Sequence, residues 1–226
     1  YDGSCPVDAT TWESARWSAN SALHAAELVL GGDAACYALA RPPGHHAGHD
    51  LVGGFCYFNN SALAASVLRR KHERVVVLDI DVHHGNGTQD IFYARKDVLT
   101  VSLHADPLRF YPFFWGYAEE RGKDEGEGCN INIPLPRGTG DDDYLRALDT
   151  ALQSVADFGA GALVLALGLD AHESDPFQGL QLTTSGFERV AAAIATLGLP
   201  TVLVQEGGYV SDALGANLDA FLKGYT

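Results

Sequence analysis

The sequence predicts a single α/β domain of three layers, with helices on both faces of a mostly parallel central sheet. Three observations carry that prediction. Short apolar, β-rich runs alternate along the chain with stretches of helical period. Runs such as "VVVLDI" and "ALVLALG" are apolar at consecutive positions, so both faces of those strands are to be covered. Polar clusters follow five of the runs directly, and open parallel sheets bind ligands beyond the carboxyl ends of their strands.

The elements follow in order. Thr10 with Glu13 reads as a capping box opening a helix that runs to Gly31-Gly32. "ACYALA" (35–40) is a short buried strand, and Ser61 to Arg70 is helical. Strand 74–80 precedes a short helix near Thr88–Tyr93, and "VLTVSL" (98–103) forms the next strand. After a long loop come the short strand "INIP" and a helix from about Asp141 to Phe158. "ALVLALG" (162–168) is a strand, Ser185 with Glu188 opens another helix, and "PTVLVQE" (200–206) precedes a final helix.

At 226 residues the chain suits one domain with a sizeable core. Apolar content of 46% with 19% charged residues excludes a disordered chain or a coiled coil. A net charge of −14 argues against nucleic acid as a partner and is compatible with cationic small substrates or basic peptides. Cys5, Cys36, Cys56 and Cys129 form no CxxC pair, which suits reduced thiols in the cytoplasm. No apolar run approaches the ~18 residues of a membrane helix. The chain begins on Tyr1 and contains no Met, so the native start is expected to lie outside it.

The densest cluster of chemistry is "DIDVHHGNG". Alternate residues of an extended strand share a side, which groups Asp79, Asp81 and His83. Two carboxylates ~7 Å apart near a core repel unless a cation or donors compensate. Asp81 and His83 offer an oxygen and a nitrogen to a divalent ion, and Asp170 in "GLDAHESDP" adds a second carboxylate after a buried strand. Two Asp and one His make an open, three-ligand site. Singly, an Asp at a strand end is commonly a turn former and a lone His commonly structural; their joint occurrence carries the reading.

His45-His46 follows "RPPG", a rigid non-helical turn, and adjacent imidazoles suit proton transfer. Gly207-Gly208 lets a tight turn present Tyr209, whose hydroxyl can donate to a developing oxyanion. These groups together suit amide hydrolysis. No G-x-S-x-G elbow and no phosphate-binding glycine loop occurs, so hydride and phosphoryl transfer drop out.

In combination and order, "RPPGHHA", "GFCYFNN", "DIDVHHGNGTQ", "SLHADP", "GLDAHESDP" and "QEGGY" resemble the zinc-dependent histone deacetylase family, in its class II and bacterial amidohydrolase branch. "HADPLRFYPFFWGYAEERG" further resembles bacterial acetylpolyamine amidohydrolases. The resemblance implies an arginase/deacetylase-like fold over residues 1–226, a catalytic domain lacking the family's N-terminal segment. It implies that Asp81, His83 and Asp170 bind one Zn²⁺, that His46 is general base and then acid beside His45, and that Tyr209 polarises the acetyl carbonyl. Gly54, Phe55 and Tyr111 would line a substrate tunnel. Asp79 would support His45 and, with Ser102 and the backbone of Leu103, hold a structural K⁺ or Na⁺; Asn86 would orient His46. The related two-manganese ureohydrolases carry an Asp where this chain has Gly85, so a binuclear site is not expected. His84 is expected only to pack or form a hydrogen bond.

The expected activity is removal of acetyl from an N-acetylated amine, acetylpolyamine before acetyl-lysine peptide. A non-catalytic acyl-lysine or metal-binding module is the reading from another class, and a homo-oligomer is one state the resemblance allows. Phe177 stands where eukaryotic polyamine deacetylases have an acidic residue. Asp106, Glu119 and Glu120 are the carboxylates expected to meet a polyamine if they are more than a solvated loop, and Asp2 is aligned loosely with an aspartate that grips substrate backbone.

Overall fold

The computed structural model describes residues 2–226; Tyr1 lies outside them. Consecutive elements are α1 (Thr11–Gly31), β1 (Ala35–Ala38), α2 (Asn60–Leu68), β2 (Val75–Asp79), α3 (Asn86–Phe92) and β3 (Val98–Ala105). There follow β4 (Asn130–Leu135), α4 (Asp141–Phe158), β5 (Ala162–Leu167), α5 (Thr184–Ala195), β6 (Thr201–Gln205) and α6 (Leu214–Tyr225). The six strands form one sheet in the order β1-β6-β5-β2-β3-β4, and every pairing is parallel.

The two faces of the sheet divide the core by the period-2 alternation of its strands. Val75, Val77, Val164, Val202 and Val204 pack with Ala22, Ala26, Leu68 and Phe92 of α1, α2 and α3. Val76, Leu78, Leu99, Val101, Leu163 and Leu165 pack with Leu148, Phe187 and Phe221 of α4, α5 and α6. The helix–sheet–helix architecture is therefore as the sequence predicts. No helix among the described residues is long and apolar enough to cross a membrane.

Three local expectations need correction. Thr10 precedes α1 without a side-chain cap; Asp8 Oδ1 instead accepts from the backbone N–H of Thr10 at 2.7 Å and of Thr11 at 3.0 Å. α5 is capped by Thr183, two residues before Ser185, whose Oγ1 accepts from the N–H of Gly186 at 3.0 Å. β1 is an edge strand and only partly buried, because one side of it has no neighbour. Asn59 caps α2 by accepting from the N–H of Ala62 at 2.8 Å.

Adjacency of β2 and β5 decides the site. Their parallel register sets Asp79 beside Ala166, so the segments leaving both strands emerge together at the carboxyl edge. β6 leaves beside them, and β1 beyond it.

Candidate active site

Asp81, His83 and Asp170 meet at that edge, with one ligand-capable atom from each lying within 4.8 Å of the others. β2 ends at Asp79, so Asp81 and His83 converge through a bend rather than through strand alternation. His83 Nδ1 lies 3.0 Å from Asp81 Oδ1 and 3.2 Å from Asp170 Oδ2. All three residues are buried. The backbone N–H of Val82 donates to Asp170 Oδ1 at 3.0 Å, while Asp170 Oδ2 is buried and has no hydrogen-bond partner among the described residues. An unpartnered buried carboxylate oxygen is costly, and a cation in this group would satisfy it. Burial, with Asp81 next to it, raises Asp170 to about 6. Burial disfavours protonation of His83, but the Asp170 and Asp81 carboxylates outweigh it and raise the imidazole to about 9. Oxygen and nitrogen donors in this number fit an ion such as Zn²⁺.

Two glycines make room for the carboxylates. A Cβ on Gly207 would lie 2.1 Å from Asp170 Oδ2 and 2.5 Å from Asp81 Oδ2, and one on Gly168 would lie 2.3 Å from Asp81 Oδ2. The N–H of Gly207 donates to Asp81 Oδ2 at 2.7 Å. Sequence reasoning does not find Gly168 and uses Gly207 only as a turn; the signal is their place beside Asp170 and Tyr209.

Asp79 stands outside the Asp81–His83–Asp170 group. Its Oδ2 lies 2.8 Å from His45 Nδ1, and its Oδ1 accepts from the N–H of Asp81 at 3.0 Å. Ser102 faces it across the β2–β3 register, and both line a small buried cavity with Thr100, Asn130 and Asn132. Leu103 follows in β3 with its side chain in the core.

The paired histidines sit in a segment locked from three directions. The carbonyl of His45 accepts from the N–H of Gly87 at 3.0 Å and of Thr88 at 3.1 Å, at the start of α3. Asn59 Nδ2 donates to the carbonyl of Ala47 at 3.0 Å. Glu206 Oε2 accepts from the N–H of Gly44 at 2.6 Å and of His45 at 3.0 Å. The two imidazoles lie 4.0 Å apart between centroids, and His46 Nδ1 donates to Asn86 Oδ1 at 2.7 Å. That bond places the proton on Nδ1 and leaves Nε2 free to accept one. Burial works against a charge on His45, but Asp79 and Asp81 outweigh it and hold that imidazole well above its ordinary range. Burial, then His45 and His83, push His46 well below it. Two like side chains are thus driven in opposite directions by their neighbours, one toward the charged and one toward the neutral form.

Above this floor opens a cavity of about 340 Å³ whose lining includes His46, His83, Gly54, Phe55, Tyr111 and Tyr209. Gly54 has φ +53, and a Cβ there would lie 2.2 Å from His46 Cδ2, so backbone passes flat against the imidazole. The Tyr111 ring meets that of His46 edge-on at 4.9 Å. Tyr209 packs against Phe177 at 4.6 Å and faces Phe55 at 6.4 Å. Burial raises the Tyr209 phenol above its ordinary range, so it stays a proton donor.

The lining also holds Phe177, at the position the resemblance gives to substrate recognition, and Phe110, Phe113, Arg109 and Arg137, which sequence reasoning does not place there. Phe110 stacks on His83 at 5.0 Å. Of the two readings of the acidic residues, the cavity lining supports the loop reading: Asp106, Glu119 and Glu120 are not part of it. Asp106 caps its own turn at the N–H of Leu108, and Glu120 bonds to Gly116 and Gln89. Asp2 does reach the rim, where Oδ2 accepts from the hydroxyl of Tyr111 at 2.6 Å.

Fold and site together define an α/β protein with a candidate metal centre at the carboxyl edge of a parallel sheet, flanked by paired histidines and a tyrosine. The chain belongs to the family described as the histone deacetylase domain, whose model matches residues 1–225. It is 53% identical over 224 residues to "Acetylpolyamine amidohydrolase" of Burkholderia pseudomallei, covering 99% of this chain and 66% of that protein. It is 47% identical over 226 residues to "Acetylpolyamine amidohydrolase 1" of Pseudomonas aeruginosa, covering 100% of this chain and 65% of that protein. The crystal structure of acetylpolyamine aminohydrolase from Burkholderia pseudomallei superposes with a TM-score of 0.98 at 53% identity, covering 99% of this chain and 66% of that one. The chain thus spans slightly under two thirds of these relatives.

Proposed function

We propose that this chain is a zinc-dependent amidohydrolase that removes acetyl from an N-acetylated amine, with acetylpolyamines as the favoured substrates. The observation that carries the reading is the Asp81–His83–Asp170 group on the floor of the same cavity that exposes His46 and Tyr209. Zn²⁺ held there supplies Lewis-acid polarisation of a carbonyl and acidifies water.

The remaining work falls to side chains of the chain. Nε2 of His46 takes a proton from the attacking water, because Asn86 keeps the ring's own proton on Nδ1. The same nitrogen returns the proton to the departing amine. His45, held by Asp79, is the electrostatic partner that disfavours the protonated form of His46, so that the proton His46 takes is readily given back. The hydroxyl of Tyr209 donates to the oxyanion that develops on the acetyl oxygen. Phe55, Tyr111 and Phe177 exclude water and enclose a methylene chain by length rather than sequence. Asp79 and Ser102, with the backbone of Leu103, would hold a structural K⁺ or Na⁺ at the cavity they share.

The polyamine preference is supported by the names of the two relatives at 53% and 47% identity. The scattered cysteines support a reducing, cytoplasmic setting. The test is acetate release by the zinc-loaded chain from acetylputrescine, acetylspermidine, acetylcadaverine and an acetyl-lysine peptide. The expected order places the acetylated polyamines first by kcat/KM. No release from any of them, with zinc verified in place, would overturn the enzymatic reading and favour a binding module.

A further inference from the structure

His84 follows His83 directly but takes no part in the metal-binding group. It is buried, its ring packs on that of His104 at 4.6 Å, and its Nε2 donates to Asn132 Oδ1 at 3.1 Å. His104, near the end of β3, donates from Nε2 to the carbonyl of Gly116 at 2.9 Å and accepts the Ser102 hydroxyl at 2.8 Å. Gly116 lies against both rings: at φ +103, a Cβ on it would sit 2.8 Å from His84 Cγ and from His104 Nε2.

A second set of bonds closes around the same point. Glu120 Oε2 accepts from the N–H of Gly116 at 2.9 Å and from Gln89 Nε2 at 2.7 Å. The Glu120 carbonyl accepts from Asn130 Nδ2 at 2.6 Å, and that of Tyr117 from Asn132 Nδ2 at 3.2 Å. Tyr117 extends the tie outward, its hydroxyl donating to the carbonyl of Phe113 at 2.8 Å. Between His104 and Gly116 the chain carries Arg109, Phe110, Tyr111 and Phe113, four residues of the cavity wall. The loop that forms this wall therefore closes on a base of buried polar groups, and His84 joins that base to the metal-binding segment.

We propose that His84, His104, Asn132, Gln89 and Glu120 form a clamp that sets the 106–121 loop against the metal-binding segment, making them positioning residues for substrate fit. Among the described residues His84 Nδ1 is buried without a hydrogen-bond partner, so the hold on the loop lies in the other bonds, where loss of the shared Glu120 acceptor releases several donors at once. Where the proposal concerns substrate it rests on the deacetylase reading; where it concerns the loop it does not.

Glu120→Ala tests it on the zinc-loaded chain. KM for an acetylated diamine is expected to rise about tenfold, with kcat within about threefold of the parent, the split that marks lost positioning of bound substrate. Limited trypsinolysis supplies a reading independent of activity, since Arg109 and Arg121 are exposed at the two ends of the loop. Cleavage after them is expected to accelerate at least about tenfold, as for a segment released to open locally. Glu120→Gln keeps an acceptor oxygen and is expected to restore both values. Parent-like cleavage in Glu120→Ala overturns the clamp, and so does a fall in kcat with KM unchanged. If Glu120→Ala does not fold, Tyr117→Phe, which removes only the tie to Phe113, takes the same two measurements with the same expected directions. A parent chain that releases no acetate overturns the deacetylase reading alone, and the cleavage rates still decide the clamp.

Discussion

Glu206 Oε2 accepts the backbone N–H of His45 at 3.0 Å, joining the end of β6 to the segment after β1. The same carboxylate accepts from Gly44 N–H at 2.6 Å and, through Oε1, from the Ser61 hydroxyl at 2.8 Å. Tyr209 follows Glu206 by three residues, so the side chain that holds the histidine segment belongs to the same stretch of chain as the tyrosine. Burial raises Glu206 to about 7, a sign of how much desolvation its donors must offset.

Glu206→Ala removes the acceptor on which two backbone donors and the Ser61 hydroxyl converge. Hydrogen bonds to charged groups contribute ~1.5–3 kcal/mol, and a loss of ~2 kcal/mol in stability is expected. Turnover should fall about tenfold with zinc content unchanged. Parent-like denaturant midpoint and kcat would remove Glu206 from the anchoring role.

Tyr209→Phe deletes one hydroxyl and leaves the ring against Phe177. Its kcat is expected to drop by ~10²–10³ with KM near the parent value, the cost of one oxyanion donor. Steady-state kinetics on an acetylated diamine decides it; an unchanged kcat would contradict the donor role.

Gly207→Ala places a methyl 2.1 Å from Asp170 Oδ2 and 2.5 Å from Asp81 Oδ2. Overpacking of this kind costs ~1–3 kcal/mol and displaces both carboxylates. Bound zinc, measured after dialysis, is expected to fall to a small fraction of one equivalent. Chelator treatment of the parent should have the same effect and lower its thermal midpoint, because metal bound to the folded state stabilises it. A full equivalent retained in Gly207→Ala would count against this metal site.

Asp97 lies between Arg95, with Nη2 at 2.6 Å, and Arg69, with Nε at 2.6 Å. The Arg95 guanidinium, reinforced by Arg69 against the opposing effect of burial, holds the carboxyl well below its usual range. A depressed folded pKa contributes stability above the unfolded value of ~3.9 and loses it as pH falls toward the folded value. Asp97→Asn should therefore melt a few degrees lower at neutral pH, and the gap should close as pH drops below about 4. Melting curves from pH 7 to 3 test this; a gap constant across that range excludes the ion pair as its source.

Much of the site is legible before folding because its chemistry follows strand ends. Asp81, His83, Asp170 and Tyr209 each come within a few residues of an apolar run, and parallel sheets gather such ends on one edge. What sequence reading misses is which of several candidate partners, near or far along the chain, a polar group takes. Asp8 replaces Thr10 at the start of α1 because neighbouring side chains compete for the same N–H groups. The acidic 104–121 loop suggests contact with a polyamine, yet Glu120 turns inward because Gly116 and Gln89 offer it donors.

Hydrophobic period and turn chemistry are local properties, so the layers, the order of elements and the residue types that reach the carboxyl edge can all be read along the chain. The neighbour of each strand cannot. Folding places β5 beside β2 and brings Asp170 to Asp81 and His83 across nearly ninety residues of chain. Folding also leaves room at Gly168 and Gly207 for the carboxylates, lets Glu206 grip His45, and adds Phe110 and Arg137 to the cavity wall. These are contacts between segments distant in sequence, and their free energy depends on register and distance that no local pattern encodes.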